Sequence, residues 1–468
     1  MEVQTRLDYQ SSEQCDVTEQ KSPLASSQLE PTVALLHCYD LIEDFADTIG
    51  LSLEAYCKEF SCNYMFGYAN ALKAVGVRTV LFYISARVTE PVRFINELSG
   101  ITIHVLPAPK IYRAFRSLRS GRRQMLNIDG EFSKNSDISD RTKSSLLTPL
   151  KNAVSSLGTY VSTPLGLLAR ELRGEGCQAI LCQSYEYARF DACVLLGQLM
   201  RMPVVATFQG GGCEPRSFIE YLIRPLSLRA CKGLIVAPQG ERQRVLSRYK
   251  MPTAKVARIF NPLDVETWQA IDRSEARAEL GIPLDARVLV SHGRIEIYNK
   301  GLDILLEAWD QICRDRPDKD LRLLLVGTGS DANELRQRIT AMQLRGVMWR
   351  DEFVNDRTVI QKYLSAADVY TLASRSEGFP IAPTEAMACG LPVVATDAPG
   401  MAEILEGGEV SGGLVVPLED AKALASGLGR VLDDEDWGRE MGKRARRRVE
   451  EYFSPEAIGK QLRDFLWK

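Results

Sequence analysis

The sequence predicts an α/β protein made of two successive doubly wound domains, each with a mostly parallel sheet. Short apolar runs recur along the chain and are separated by segments with helical periodicity, which is the pattern of βαβ units. The series of strands and helices stops at residues 261–264 and a second series follows. This break divides the chain into two α/β units of comparable size. The chain has 468 residues, enough for two or three domains with their own cores.

The first half predicts strands at residues 32–36, 79–84, 101–106, 179–181, 204–208 and 233–237. A helix is predicted over residues 64–75, and it ends at Gly76. Residues 124–150 are rich in Asn, Asp, Ser and Thr, which predicts a long surface loop. Residues 1–30 are rich in Ser, Gln and Glu, and we expect them to form a disordered tail.

The second half predicts strands at residues 287–291, 321–326, 369–372, 391–396 and 413–416, with helices over residues 301–314, 331–342 and 383–389. The last charged stretch, 436–468, should be helical with a bend at Phe453-Ser454-Pro455. We therefore expect an N-terminal domain over 31–263, a C-terminal domain over 264–450, and a final helix over 451–468 that packs back on the N-terminal domain. Because doubly wound domains bind ligands at the carboxyl ends of their strands, the site should lie in the cleft between the two domains.

Composition excludes several classes of function. The 58 Lys and Arg residues nearly balance the 61 Asp and Glu residues, which argues against a nucleic-acid-binding protein. We find no apolar run of about 18 residues and no signal-peptide core at residues 1–30, so we expect a cytoplasmic protein. The 11 cysteines are never spaced as Cys-x-x-Cys, and we expect buried, reduced thiols. With only 3 histidines, a histidine metal site is not expected.

The most informative segment is residues 376–396, which follows a predicted strand and opens a helix. Glu377 and Glu385 stand eight residues apart, one in the loop and one in the helix, so they can address two parts of one long ligand. Gly378 allows the backbone to approach a ligand, Pro383 suits a first helical turn, and the free N–H groups there favour an anion. Taken alone, Glu377 could be a helix-entry charge and Glu385 part of a solvated helix face.

The whole segment resembles the Glu-x7-Glu signature of retaining glycosyltransferases of family 4, also called group 1. Its start, Glu-Gly-Phe-Pro, and its continuation, Glu-Ala-Met-Ala-Cys-Gly-Leu-Pro-Val-Val-Ala-Thr, both match that signature. The resemblance covers residues 200–465 well and residues 32–200 loosely. It implies the GT-B fold, with two facing Rossmann-like domains, and transfer of a sugar from a nucleotide-diphosphate sugar to an acceptor hydroxyl on a glycan, a lipid or a small molecule.

A second motif agrees with the first. His292-Gly293-Arg294, followed by Lys300-Gly301, resembles the family's Gly-Arg…Lys-Gly segment. Arginine offers a planar fork to phosphate oxygens and lysine a movable point charge, so a diphosphate leaving group can use both. The alternative is a pair of exposed cations in a strand–helix loop.

The resemblance also implies roles for these residues. Arg294, Lys300 and Glu377 form the predicted catalytic set, in which the two cations neutralise the departing diphosphate, as a divalent metal does in other transferases, and Glu377 holds sugar hydroxyls. Glu385 is expected at the ribose hydroxyls, and no metal or other cofactor is expected. The other predicted donor-binding residues are neighbours in the two motifs: Gly293, Gly378, Phe379, Pro380 and Ile381.

The N-terminal half departs from the family pattern in two places. Gln209 follows Thr-Phe where many relatives have a histidine that contacts the donor sugar, and glutamine can hydrogen-bond but cannot titrate. The usual Gly-Gly loop after the first strand is missing, and the segment that starts at Asn63 is the candidate replacement. Gln209 and Asn63 are therefore predicted contacts of the sugar or the acceptor, and the acceptor itself cannot be read from the family.

Five arginines recur at near-helical spacing with apolar residues between them, at Arg113, Arg116, Arg119, Arg122 and Arg123. Several family members use a basic amphipathic helix in this domain to sit on anionic membranes. Apolar insertion and attraction to lipid headgroups would give this segment peripheral contact with the inner face of a membrane. A solvated basic face is the alternative.

Two other functions remain open at this point. A sugar-nucleotide epimerase or a phosphorylase would share the fold and the donor motifs. A catalytically silent protein that binds sugar nucleotides belongs to a different class, and the complete set Arg294, Lys300, Glu377 and Glu385 argues against it.

Overall fold

The computed structural model describes residues 30–43, 51–60, 64–113, 160–210 and 218–468. The described residues before position 258 form one sheet of eight strands: β1 (Thr32–Leu36), β2 (Arg78–Ser85), β3 (Val92–Ile95), β4 (Thr102–Pro107), β5 (Ala179–Cys182), β6 (Val204–Thr207), β7 (Gly233–Ile235) and β8 (Val256–Ala257). They lie in the order β3-β4-β2-β1-β5-β6-β7-β8, and every pairing except the antiparallel β3–β4 pair is parallel.

Helices cover both faces of this sheet: α1 (Leu53–Glu59), α2 (Tyr64–Ala74), α3 (Leu165–Gly174), α4 (Ala188–Met200), α5 (Phe218–Ala230) and α6 (Gln239–Arg248). Strand β1 is apolar at nearly every position because both faces of the sheet are covered. Val33 and Leu35 belong to the core on one face of the sheet, while Ala34 and Leu36 belong to the core on the other face.

The second sheet has six parallel strands: β9 (Arg287–His292), β10 (Leu321–Val326), β11 (Val347–Arg350), β12 (Val369–Leu372), β13 (Val393–Thr396) and β14 (Gly413–Val416). Their order is β11-β10-β9-β12-β13-β14. The associated helices are α7 (Arg273–Leu280), α8 (Ile297–Lys300), α9 (Leu302–Asp315), α10 (Ala332–Ala341), α11 (Arg357–Ala366), α12 (Ala382–Ala388), α13 (Met401–Ile404), α14 (Ala421–Asp433) and α15 (Glu435–Tyr452).

In both sheets the strand order reverses beside the first strand. In the N-terminal domain, β1 lies between β2 and β5, and in the C-terminal domain, β9 lies between β10 and β12. Connections leave to opposite sides at these points, so a crevice opens at the carboxyl ends of the strands. The crevice beside β9 and β12 receives both motifs singled out in the sequence.

The last helix, α16 (Pro455–Trp467), lies on α2 of the N-terminal domain. Ile458, Leu462 and Leu466 are buried in the core that contains α2. Gly459 allows close approach, because a Cβ atom at this position would lie 2.0 Å from the carbonyl oxygen of Ala71.

The predicted α/β class with two doubly wound domains is confirmed, and the structure adds strands β3, β8 and β11. These strands were missed because β8 has only two residues, β3 is an antiparallel edge strand, and β11 is only half-buried. The eight cysteines among the described residues are buried and free, as predicted. Within the described part of the chain, no helix combines the length and the apolar character needed to cross a membrane.

Candidate functional site

A cavity of about 230 Å³ opens at the carboxyl ends of β9, β10 and β12. Its wall contains six of the residues predicted for the donor site: Gly293, Arg294, Lys300, Glu377, Pro380 and Ile381. The first three come from the loop and short helix after β9, and the others from the loop after β12. The fold therefore brings together two motifs that are separated by about 80 residues in sequence.

Lys300 and Glu377 face each other in this wall. The Nζ atom of Lys300 lies 2.7 Å from Oε1 of Glu377, and the Ser374 hydroxyl donates to the same oxygen at 2.6 Å. Lys300 ends α8 at Gly301, whose φ of +59° is a left-handed conformation. A Cβ atom on Gly301 would lie 1.9 Å from the carbonyl oxygen of Ala373, so glycine lets the two loops meet.

Arg375 holds these two loops together. Its guanidinium donates to both carboxylate oxygens of Asp303, at 2.8 and 3.0 Å, and to the carbonyl oxygen of Tyr298 at 2.8 Å. Its backbone N–H donates to the carbonyl oxygen of Asn299 at 3.0 Å. The hydrogen bonds with Asp303 raise the pKa of Arg375 above its ordinary value, so its charge is permanent. Sequence analysis missed this residue, although it stands two positions before Glu377.

Arg294 is the most exposed member of the set. Its side chain is 68% exposed and donates to Glu296 at 2.8 Å. An exposed ion pair of this kind contributes little to stability. The guanidinium can therefore leave Glu296 for a more highly charged anion with little loss of free energy.

The Gly-x-Gly turn after β10 supports the backbone around Arg294. A Cβ atom on Gly327 would lie 2.0 Å from the carbonyl oxygen of Gly293, and one on Gly329 would lie 2.2 Å from that of Ile295. The N–H of Gly293 donates to Val326 at 2.9 Å. This turn therefore packs against the loop that carries Arg294.

Glu385 lies beside His292 at the start of α12. Its Oε2 atom is 2.8 Å from Nε2 of His292, whose side chain is 8% exposed, against 19% for Glu385. The ring of Tyr370 meets the imidazole edge to face at 5.5 Å. Burial and the nearby Glu385 carboxylate raise the pKa of Tyr370 well above its ordinary value, so its phenol stays neutral. Sequence analysis quoted His292 within its motif but gave it no role.

The segment after Glu377 faces the N-terminal domain. A Cβ atom on Gly378 would lie 2.2 Å from the carbonyl carbon of Gln209, so the backbone that Gly378 approaches is that of Gln209 and its neighbour Gly210. Phe379 is 6% exposed and stacks on Phe260 at 5.3 Å between ring centroids. The predicted donor residue Phe379 thus packs in the core between the domains and does not line the cavity.

Gln209 follows β6 and is held by an amide pair. Its Nε2 donates to Oδ1 of Asn261 at 3.0 Å, and Nδ2 of Asn261 donates back to its Oε1 at 2.8 Å. The Tyr68 hydroxyl also donates to Oδ1 of Asn261, at 2.7 Å. Asn261 is the first residue of the 261–264 stretch at which the first series of strands ends, and the structure shows that it fixes the orientation of Gln209.

Several predicted features lie outside the described residues. They include Asn63 and the arginines at 116, 119, 122 and 123 of the basic segment; Arg113 is described and is partly exposed. The disordered tail and the surface loop over 124–150 also lie outside the described residues, except for Glu30. Their roles stay predictions.

Comparison with known proteins identifies the domain that contains the cavity. Residues 272–448 match the family model described as "Glycosyl transferases group 1". We call residues 272–448, which are similar to this family, the group 1 domain. This group 1 domain contains every predicted catalytic residue.

Curated relatives agree with this assignment. The chain is 28% identical over 246 residues to the lipopolysaccharide core biosynthesis mannosyltransferase LpsB of Rhizobium meliloti, which covers 52% of this chain and 66% of the relative. It is 31% identical over 237 residues to the D-inositol 3-phosphate glycosyltransferase of Kineococcus radiotolerans, with 48% and 54% covered. The chain thus spans about half to two thirds of the length of these relatives.

Solved structures show the fold of the two domains together. A sucrose-phosphate synthase from Thermosynechococcus elongatus superposes with a TM-score of 0.61 and 20% identity, covering 93% of this chain and 98% of the other. Anabaena Alr3699/HepE in complex with UDP superposes with a TM-score of 0.62 and 17% identity, covering 93% and 99%. The group 1 domain and the N-terminal domain together form a GT-B fold, as the motifs implied.

Proposed function

We propose that this protein is a retaining glycosyltransferase that moves a sugar from a nucleotide-diphosphate sugar to an acceptor hydroxyl. The observation that supports the proposal most directly is the Lys300–Glu377 pair, which lies with Arg294 in the wall of one cavity in the group 1 domain. This arrangement places two cations and one carboxylate where a diphosphate and its sugar can be bound together.

The charges of the site suit a diphosphate that departs during the reaction. In this structure Lys300 is balanced by Glu377, and the exposed Arg294 is balanced by Glu296. A diphosphate carries more negative charge than a single carboxylate, so it would compete with these carboxylates for both cations through charge-assisted hydrogen bonds. Negative charge grows on the phosphate as the glycosidic bond breaks, so Arg294 and Lys300 would bind the transition state better than the ground state.

Glu377 would turn to the sugar once a phosphate engages Lys300. Its carboxylate accepts from Ser374 in this structure and would accept from sugar hydroxyls in the complex. The acceptor hydroxyl would attack from the face that the diphosphate leaves. Its oxygen forms the new bond to the anomeric carbon, the bond to the phosphate oxygen breaks, and that phosphate oxygen takes the hydroxyl proton.

This route requires no base from the protein, which is consistent with glutamine at position 209. The amide of Gln209 is bound to Asn261, so it would contribute a fixed dipole at the cleft. The N-terminal domain would bind the acceptor. The name of the relative LpsB concerns the lipopolysaccharide core, which makes a cell-surface glycan the first acceptor class to test.

The test is to incubate the protein with a panel of sugar nucleotides and glycan or lipid acceptors, and to follow release of the nucleoside diphosphate. Nuclear magnetic resonance of the product then gives the anomeric configuration. We expect release that depends on the acceptor, and a product with the anomeric configuration of the donor. An inverted product would contradict retention, an isomerised sugar nucleotide would indicate an epimerase, and binding without turnover would indicate a silent binding protein.

A further inference from the structure

The imidazole of His292 occupies a position that neither the motifs nor the relatives assign. His292 is the last residue of β9 and one of the residues of the cavity wall, beside Gly293 and Arg294. Glu385, which the resemblance places at the ribose, does not belong to that wall and instead lies against Nε2 of His292. The histidine is therefore the part of this pair that borders the cavity.

The two nitrogen atoms of His292 have different surroundings. Nε2 is 2.8 Å from the Glu385 carboxylate, so this nitrogen carries a proton. Nδ1 is buried and has no hydrogen-bond partner among the described residues. A buried polar atom without a partner is costly, and such atoms in folded proteins are usually satisfied by protein, water or ligand.

We propose that His292 is a nucleotide-binding residue of the donor site, which pairs with the ligand through Nδ1 and with Glu385 through Nε2. The proposal rests on the proposed function, because the ligand is the nucleoside diphosphate part of the donor. Glu385 acts on this ligand partly by fixing the ring of His292, as carboxylates do for histidines that bind metals. Tyr370 packs against the edge of the same ring and limits its rotation.

Two conservative variants separate the two nitrogens. In His292→Gln the longer amide can reach Glu385 but leaves the position of Nδ1 empty, whereas in His292→Asn the shorter amide replaces Nδ1 and loses Glu385. His292→Phe removes both contacts and keeps the ring. Affinity for UDP, ADP and GDP is measured by calorimetry for the wild type and all three variants, and thermal melting checks that each variant is folded.

We expect the nucleotide that binds the wild type to bind His292→Gln and His292→Asn about 5-fold to 10-fold more weakly, and His292→Phe more weakly still. Combining His292→Phe with Glu385→Gln should weaken binding by much less than the product of the two single effects, because the residues act as one unit. His104→Gln is the matched control, since His104 lies on β4 of the N-terminal sheet, next to the edge strand β3, and contacts Glu175 at 2.9 Å. It should leave the affinity unchanged.

The outcomes separate this inference from the proposed function. If the wild type binds a nucleoside diphosphate and a folded His292→Phe variant binds it within twofold of the same affinity, the assignment of His292 is wrong while the transferase proposal stands. Multiplicative effects of the His292 and Glu385 variants would also contradict the assignment. If the wild type binds none of the three nucleotides, both proposals fail together.

Discussion

Gly378 of the C-terminal domain touches Gln209 of the N-terminal domain through the backbone. A Cβ atom on Gly378 would lie 2.2 Å from the carbonyl carbon and 2.3 Å from the carbonyl oxygen of Gln209. Because the obstructing atoms belong to the backbone, no side-chain rotation can make room for a methyl group. The loop that carries Glu377 thus closes against the other domain only if glycine follows it.

Gly378→Ala should separate these two loops. We expect the free energy of unfolding to fall by about 1–3 kcal/mol, the range for overpacked sites, and transferase activity to fall with it. Urea unfolding and donor turnover measure the two effects. The matched control is Gly166→Ala, because Gly166 lies inside α3 with no atom within 4 Å of an added Cβ. That change should be neutral or slightly stabilising, and an equal loss in both variants would contradict the contact.

Glu377→Gln should lower the turnover number by about 100-fold, which corresponds to roughly 2.7 kcal/mol of transition-state stabilisation. Glu377 contacts Lys300, and in the proposed mechanism charge would develop there as the glycosidic bond breaks. Glu385→Gln should mainly raise the Michaelis constant of the donor, since Glu385 is placed at the nucleotide. Steady-state kinetics with the identified donor measures both constants.

Free nucleoside diphosphate checks the placement of the two carboxylates independently of turnover. It has the ribose but no sugar, so it should bind more weakly to the Glu385→Gln variant and almost normally to the Glu377→Gln variant. The opposite order in calorimetry would mean that the two glutamates are reversed along the donor.

If Arg294 and Lys300 supply the positive charge for the diphosphate, as the proposed function requires, activity should not depend on a divalent metal. Turnover in excess EDTA should therefore stay within a few-fold of the untreated rate. Complete loss of activity, restored by manganese or magnesium, would contradict this mechanism.

Burial lowers the pKa of His37 from 6.5 to about 3. Below pH 6.5 the His37 imidazole is protonated in the unfolded chain but stays neutral in the folded protein. The free energy of unfolding therefore falls as the pH drops from 6.5 towards 3. This protonation lowers the free energy of unfolding by about 2 kcal/mol between pH 6.5 and pH 5. Urea unfolding at pH 5 and 7 should show a smaller loss for His37→Asn than for the wild type. An equal loss in both proteins would show that His37 does not titrate as stated.

If the basic segment that begins at Arg113 docks on a membrane, the protein should bind anionic lipid; a solvated basic face should not. Sedimentation with phosphatidylglycerol vesicles should occur at low salt and weaken as salt is raised, because the attraction to headgroups is screened. Changing Arg116, Arg119 and Arg122 together to glutamate should abolish it without altering donor binding. If the wild type does not sediment at any salt concentration, the segment is a solvated basic face and does not contact the membrane.

The sequence by itself determined the fold class and located the two motifs that meet at the cavity. Buried parallel strands such as β1 are apolar on both faces, so their positions can be read from local composition. The donor motifs are also local, since Arg294 and Lys300 lie in the loop and short helix after β9, and Glu377 and Glu385 in the loop and helix after β12. Resemblance to a family then supplied the chemistry that residue types alone left open.

Only the tertiary structure decided which of these residues face one another. The Lys300–Glu377 and His292–Glu385 contacts join residues 77 and 93 positions apart, and the amide pair of Gln209 with Asn261 joins residues 52 apart. No local pattern encodes such partners, because they depend on where the strand ends meet in the sheet. For that reason the sequence did not predict the contacts of His292 and Asn261. The function of a single histidine or asparagine can be inferred only when its neighbours in space are known.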